Sequence, residues 1–148
     1  MADHDPLGPA VHKAQEWIAE VRDVLGVPDR QRGYQAIRAT LHALRDRLPV
    51  NEAAHLGAQL PMLIRGVYYE GWDPGANRKT ERSADSFFED IRQEVPGMLP
   101  SEAKIAAQAA LTVLTRHVSA GEIDDVRSSL SAPLRKMWPT NEEGEDHD

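Results

Sequence analysis

The sequence aligns with itself without a gap when one copy is shifted by 70 positions. Bulky apolar residues and helix-breaking positions then coincide, although few of the aligned residues are identical. The coincident pairs include Trp17 with Phe87, Val21 with Ile91, Leu41 with Leu111, Leu44 with Leu114, Ile64 with Leu134 and Arg65 with Arg135. This internal repeat predicts two similar units that pack around a pseudo-two-fold axis, because each amphipathic helix must bury its apolar stripe.

Both units have the residue spacing of helices rather than strands. Apolar residues recur every three or four positions, as in the series Ile37, Leu41, Leu44 and Leu48 that precedes Pro49. Alternation with a period of two is scarce, and Ala, Leu, Glu and Arg outnumber the β-branched residues. This residue pattern therefore predicts helices that are separated by breaks at proline and glycine.

Three of the predicted helix starts carry polar residues that can cap them. Asp29, Ser83 and Ser119 each precede an apolar stripe. Ser119 and Glu122 also have the spacing of a capping box, in which the glutamate bonds back to the backbone of the N-cap residue. We expect a helix to begin directly after each of these N-caps.

The predicted fold is an all-α bundle of about eight helices, formed by two tandem four-helix repeats. Repeat one spans about 13–69, a connecting loop spans 71–82, and repeat two spans about 83–138. A chain of 148 residues fits a single domain. We expect that helical domain over residues 10–139, with a flexible N-terminus at 1–9 and a disordered acidic tail at 140–148.

The net charge of −7 is unevenly distributed along the chain. Five of the 24 acidic residues lie in NEEGEDHD, residues 141–148, which leaves 19 acidic against 17 basic residues elsewhere. This chain lacks the basic field that phosphate backbones require, so we expect no nucleic-acid partner. No apolar run is long enough to cross a membrane. The absence of cysteine excludes disulfides and thiol catalysis and makes a reducing cytoplasm the simplest location.

Two stretches resemble a known family. RATLHALRDRLPVNEAAHLGAQLPMLIRGVYYEGW, residues 38–72, is similar to bacterial proteins of domain-of-unknown-function family 2267. LTVLTRHVSAGEIDDVRSSLSAPLRKMWP is similar to that family's C-terminal copy, so the resemblance covers about residues 10–139. The resemblance implies a small helical bacterial protein, and it implies no reaction, cofactor or catalytic residue.

The sequence carries no established catalytic motif, and its one metal-like pattern is weak. No G-x-S-x-G, phosphate-binding loop or dinucleotide glycine pattern is present. Glu52 and His55 form an E-x-x-H pair, the spacing used by di-iron helical bundles. Such a site needs a second pair, but the equivalent positions of repeat two are Glu122 and Asp125. We therefore expect no cofactor, and we keep Glu52 and His55 as a weak metal candidate against a helix-dipole role for Glu52 and a surface position for His55.

The internal repeat places Arg65 and Arg135 at equivalent positions. One interpretation is structural: each guanidinium bonds carbonyls near a helix end, or pairs with Glu52 or Glu122 of its own half. The other is ligand binding. The structural interpretation is favoured because the repeat predicts the arginine in both halves.

The loop GWDPGANRKTER has no counterpart after repeat two, where only the acidic tail follows. Its tryptophan either anchors the loop over a helix end or, with a neighbouring tyrosine and a basic rim, binds a protein partner or an anionic ligand. The candidate partner- or ligand-binding residues are Arg65, Tyr69, Trp72, Asp73, Arg78, Lys79 and Arg82.

Two functions remain open on these observations. The first is a non-enzymatic helical protein-interaction or regulatory module, which binds an unknown protein partner or self-associates. The alternative is a small-molecule or metal-binding protein, or an enzyme, that uses a groove between the two repeats. A flat apolar surface around Tyr69 and Trp72 favours the first function, whereas a deep polar pocket near Glu52, His55 or Arg65 favours the second.

Overall fold

A computed structural model describes residues 5–139, apart from the side chain of Asn77. Within those residues the chain forms nine helices and no strand, which confirms the all-α prediction. The helices are α1 (Gly8–Leu25), α2 (Arg30–Arg45), α3 (Val50–Ala58), α4 (Met62–Tyr69), α5 (Pro74–Asn77), α6 (Ala84–Glu94), α7 (Pro100–His117), α8 (Ala120–Ser128) and α9 (Ala132–Met137). The sequence pattern did not predict α5, a single turn inside the connecting loop. The predicted acidic tail at 140–148 and the first four residues lie outside the described residues.

Most helix ends follow from local sequence. The side chain of Asp29 accepts the backbone N–H of Gln31 at 2.9 Å, and Ser83 accepts that of Ser86 at 3.0 Å, which confirms two of the predicted N-caps. Gly26 ends α1 with a φ of 77°, a left-handed conformation that glycine adopts without steric cost. These ends fix the lengths of α1, α2 and α6.

The predicted capping box at the start of α8 forms only in part. Ser119 Oγ accepts the N–H of Glu122 at 3.2 Å, as predicted. The backbone N–H of Ser119 instead donates to Gln59 Oε1 at 3.1 Å, so the return bond from Glu122 is absent. The prediction was wrong at this point because a side chain from the end of α3 supplies the acceptor. The Glu122 carboxyl is left to lie against α3.

The helices share a single apolar core. Helix α1 packs on α2, and α6 packs on α7; α2 also contacts both α6 and α7, and α1 contacts α7. The shorter helices α3 and α8 contact each other. Helices α2, α3 and α4 begin 70 residues before α7, α8 and α9, the same interval that aligns the sequence with itself. The pseudo-two-fold relation between the halves stays a prediction. No helix within residues 5–139 combines the length and apolarity needed to cross a bilayer.

Helices α1 and α2 approach closely because α2 carries a glycine at their contact. A Cβ added to Gly33 would lie 2.5 Å from the Ile18 carbonyl oxygen and 3.1 Å from the Arg22 backbone nitrogen. Both are backbone atoms of α1, which cannot rotate away as a side chain can. Any larger residue at position 33 would therefore separate the two helices.

Helix α2 buries polar side chains that join it to α4 and α6. His42 is 8% exposed; its Nδ1 lies 2.9 Å from the Glu94 carboxylate and its Nε2 lies 2.7 Å from the Val67 carbonyl oxygen. Arg45 is 4% exposed, and its Nη1 donates to the carbonyls of Tyr68 and Glu70 at 2.6 and 2.9 Å. The Val67 carbonyl also accepts the Glu70 N–H at 3.2 Å. The two α2 side chains add hydrogen-bond partners for carbonyls at the end of α4, where the regular pattern within the helix stops. The last turn of α4, and with it the start of the connector, is therefore held in place by α2.

Candidate functional site

The connector between α4 and α6, residues 70–83, is tied to the bundle at two points. The backbone N–H of Lys79 donates to the Asp46 carbonyl at 2.7 Å, just after the end of α2. The Ser131 hydroxyl donates to the Arg82 carbonyl at 2.6 Å, just before α9. Asp73 accepts the N–H of Ala76 and caps α5. Asp73 is therefore part of the loop's own structure, and residues 78–82 are positioned by helices from both halves.

A pocket of about 220 Å³ lies between the connector and the turn that joins α8 to α9. We call it the connector pocket. Its lining residues are Arg47, Arg78, Lys79, Thr80, Glu81, Arg82, Ser129, Leu130, Ser131 and Leu134. Three of the predicted candidates, Arg78, Lys79 and Arg82, thus meet at one pocket.

The connector pocket is basic, although the chain as a whole is acidic. Arg47, Arg78, Lys79 and Arg82 line it, against one lining carboxylate, Glu81. A second carboxylate, Asp90, lies 2.9 Å from Arg47 Nη2 and 3.9 Å from Lys79 Nζ. Four basic against two acidic residues leave a local excess of two positive charges.

Two of the four cations, Arg78 and Arg82, have no carboxylate partner within residues 5–139 and are exposed. The buried Arg47 donates to Ser86 Oγ at 2.9 Å and to the Ala43 carbonyl at 3.1 Å, but its Nε is buried and makes no hydrogen bond to any described residue. The exposed pair can contact an anion directly, whereas the charge of the buried arginine is offset by Asp90.

The predicted aromatic candidates lie elsewhere and pack against the core. The Tyr69 ring covers Gly57, where an added Cβ would lie 2.3 Å from the tyrosine hydroxyl. Trp72 lies 5.2 Å from Tyr69, centroid to centroid, and both rings are partly buried against the apolar core. This arrangement matches the interpretation that Trp72 anchors the loop over a helix end. Because both rings are partly buried, they do not present the flat apolar surface that would favour a docking site.

Arg65 also lies outside the connector pocket. Its Nη2 donates to the Leu60 carbonyl at 2.9 Å, and Arg135 makes the same bond to the Leu130 carbonyl. Neither guanidinium pairs with Glu52 or Glu122 among the described residues. Of the structural roles predicted for this arginine, the geometry supports carbonyl bonding near a helix end.

A separate carboxylate cluster lies where α3 meets α8. One oxygen each from Glu52, Glu122 and Asp125 lie within 4.8 Å of one another. His55 Nδ1 is 3.9 Å from Glu52 Oε1, but the side chain of His55 is 68% exposed. The structure thus brings Glu52 together with Glu122 and Asp125, which lie 70 positions after Glu52 and His55. Three carboxylate oxygens are the kind of ligand that a hard divalent cation takes.

The two glutamates of this cluster are poorly solvated. Glu52 Oε2 and Glu122 Oε2 are both buried and accept no hydrogen bond from any described residue. Burial, then the adjacent Glu52 and then Asp125, raise the pKa of the Glu122 carboxyl to about 8. A protonated Glu122 can donate to Glu52, which relieves the repulsion between two like charges. At neutral pH this cluster therefore retains a proton.

Sequence reasoning missed Arg47, Ser129 and Ser131 as members of the pocket. A signal for Arg47 was present, since it lies between Leu44 and Leu48 in the apolar series that precedes Pro49. A charged residue in such a series indicates a buried cation with a fixed role. The two serines had no local signal, because the turn that carries them meets the connector only through the tertiary fold.

The comparison with known proteins identifies a family. No curated protein matches the sequence. The family model described as "Uncharacterized conserved protein (DUF2267)" matches residues 14–137, which includes the connector, the connector pocket and the carboxylate cluster. Because the match covers most of the chain, it confirms the resemblance seen in residues 38–72. The chain belongs to the DUF2267 family of uncharacterized conserved proteins.

Proposed function

We propose that the protein is a non-enzymatic interaction module that binds an acidic segment of a partner protein in the connector pocket. The observation that carries this proposal is the pair of exposed, unpaired arginines, Arg78 and Arg82, at a pocket with a net positive charge. The backbone of the connector is bonded to the bundle at Lys79 and at Arg82, so the two arginines are carried on a segment that is held beside the pocket.

The size of the pocket favours a side-chain carboxylate over a larger ligand. Its volume of about 220 Å³ is below the range of typical small-molecule sites, which begins at about 300 Å³. A glutamate or aspartate side chain fits, and further acidic residues of an extended peptide can contact the exposed rim. Contacts of this kind give specificity and association rate more than affinity, and they weaken as salt rises.

The test is the binding of fluorescein-labelled hexaglutamate, measured by fluorescence anisotropy at low and at physiological salt. We expect the double variant Arg78→Glu/Arg82→Glu to weaken binding at least tenfold. A matched control, Arg30→Glu/Lys104→Glu, makes the same change in net charge at exposed positions outside the pocket and should change binding less than twofold. Equal losses in the two variants would show that only net charge matters and would refute the proposal. Circular dichroism verifies that each variant is folded.

The alternative, metal binding between the halves, is supported by the carboxylate cluster of Glu52, Glu122 and Asp125. We place it second, because the cluster retains a proton at neutral pH that a cation must displace. The test is thermal unfolding in the presence of Mg²⁺, Mn²⁺ or Zn²⁺. A rise in Tm that Glu122→Gln removes would favour the metal function over the interaction module.

A cytoplasmic location is part of this proposal. It is supported by the absence of cysteine from the sequence, which suits a reducing compartment without requiring it. Immunoblotting of cell fractions tests it, and recovery of the protein outside the cytoplasmic fraction would contradict it.

A further inference from the structure

We infer that the acidic segment of this chain, residues 141–148, occupies the connector pocket and competes there with the partner's acidic segment. This inference rests on the proposed function, because it names a regulator of the same site. Residues 141–148 are acidic, as is the segment of the partner that we propose for the same pocket.

Charge complementarity is the first reason. Residues 141–148 contain five acidic residues and no basic residue, which makes this segment the most acidic part of the chain. The connector pocket has a local excess of two positive charges, and Arg78 and Arg82 have no carboxylate partner among residues 5–139. The basic pocket and the acidic segment are therefore of opposite charge and belong to one molecule.

The path of the chain is the second reason. Ser131 lines the pocket, and α9 begins at the next residue. Six helical residues advance the chain by about 9 Å, and Trp138 and Pro139 add at most about 7 Å. Trp138 is buried, and its Nε1 donates to Thr115 Oγ1 at 3.0 Å, so the point of departure is fixed. From there, five extended residues span at most about 17 Å, which is enough to bring the acidic residues back to the pocket.

Covalent linkage is the third reason. A segment joined to its site by a short linker acts at an effective concentration in the millimolar range. A contact with Arg78 and Arg82 whose dissociation constant lies below that concentration is then largely formed. A partner's acidic segment must displace it, so the measured affinity of the native chain is lower than the affinity of the open pocket.

The competition experiment compares two full-length chains. The second chain carries neutral residues in the acidic segment: Glu142→Gln, Glu143→Gln, Glu145→Gln, Asp146→Asn and Asp148→Asn. We expect labelled hexaglutamate to bind this neutralised chain at least fivefold more tightly than the native chain at low salt, with a difference that shrinks as salt rises. Equal affinities would overturn the inference and leave the proposed function intact.

A direct binding experiment uses the labelled peptide TNEEGEDHD, the sequence of residues 140–148. It should bind the neutralised chain, lose at least tenfold in affinity when Arg78→Glu/Arg82→Glu is added, and be replaced in full by unlabelled TNEEGEDHD. The control peptide TNQQGQNHN should not bind. Failure of TNEEGEDHD to bind overturns the inference; binding of TNEEGEDHD without binding of hexaglutamate supports the inference and refutes the proposed function.

The occupant can be the same chain or a second copy, and light scattering separates these outcomes. We infer the intramolecular contact, so the native chain should keep a constant molar mass across the concentrations used for binding. A dimer that forms with concentration and disappears in the neutralised chain would overturn it.

Discussion

Replacing Glu122 with glutamine should stabilise the protein at alkaline pH. The pKa of this carboxyl is raised to about 8 by burial and by its neighbours Glu52 and Asp125. Below that pKa the folded protein keeps the proton, and above it two poorly solvated carboxylates repel each other. Glutamine preserves the shape of the protonated acid and can still donate to Glu52.

The direction of the effect follows from proton linkage. In the unfolded chain the carboxyl has its ordinary pKa of 4.5, so between about 4.5 and 8 the folded state binds the extra proton. The stability of the native chain therefore falls as pH rises through that window and reaches its low plateau above about 8. The variant has no such proton and should show no such loss.

The magnitude is limited by solvent. A shift of the pKa from 4.5 to about 8 corresponds to at most about 5 kcal/mol, at about 1.4 kcal/mol for each tenfold change in proton affinity. Glu122 is only partly buried and Asp125 is exposed, so screening reduces this ceiling considerably. We expect a gain of about 1–2 kcal/mol at pH 9, which raises Tm by roughly 3–8 °C for a domain of this size.

Thermal unfolding followed by circular dichroism at pH 5, 7 and 9 is the assay. The difference in Tm between Glu122→Gln and the native chain should be near zero at pH 5 and should grow with pH. The matched control is Asp124→Asn, which removes one acid from the exposed side of the same helix and should show no such growth. A difference that stays constant from pH 5 to pH 9 would refute the reasoning.

Two further predictions concern packing and helix-end bonding. Gly33→Ala should lower the free energy of unfolding by about 2–3 kcal/mol, because the new Cβ meets the backbone of α1. In the control Gly66→Ala the new Cβ has no atom within 4 Å, so this variant should gain about 0.5–1 kcal/mol. Urea unfolding measures both variants, and equal unfolding midpoints would contradict the close approach of α1 and α2. Arg65→Met should lose about 1 kcal/mol with its bond to the Leu60 carbonyl, and an unchanged melting curve would contradict the structural role of this arginine.

Local sequence predicted those parts of the fold that depend on neighbours along the chain. The N-caps Asp29 and Ser83 act within three residues, and the break at Gly26 needs no tertiary partner, whereas α2 ends at Arg45, earlier than the end predicted at Pro49. The two N-caps and the break at Gly26 were therefore predicted correctly from residue types and spacing. The short helix α5 was missed, since a single turn leaves no apolar period to detect.

The site could be predicted only in part, because its contacts join distant positions. Arg47 pairs with Asp90 across 43 residues, and Ser131 bonds to Arg82 across 49. Sequence reasoning located the basic loop, but it had no means to place the α8–α9 turn against it. It also predicted that Glu122 would accept the Ser119 N–H in a local capping box, whereas in the fold Gln59 accepts that N–H.

The bonds from α2 to the end of α4 have a consequence for local unfolding. An isolated helix of eight residues is unstable in water and would open and close many times for each global unfolding event. Here the buried Arg45 guanidinium and the His42 ring bond to carbonyls of Val67, Tyr68 and Glu70. Opening α4 would remove the carbonyl acceptors of these two buried side chains, and only their contacts with Glu94 and Asp46 would remain. The amides of this short helix should therefore exchange with solvent together with those of the long helix α2, as one cooperative unit.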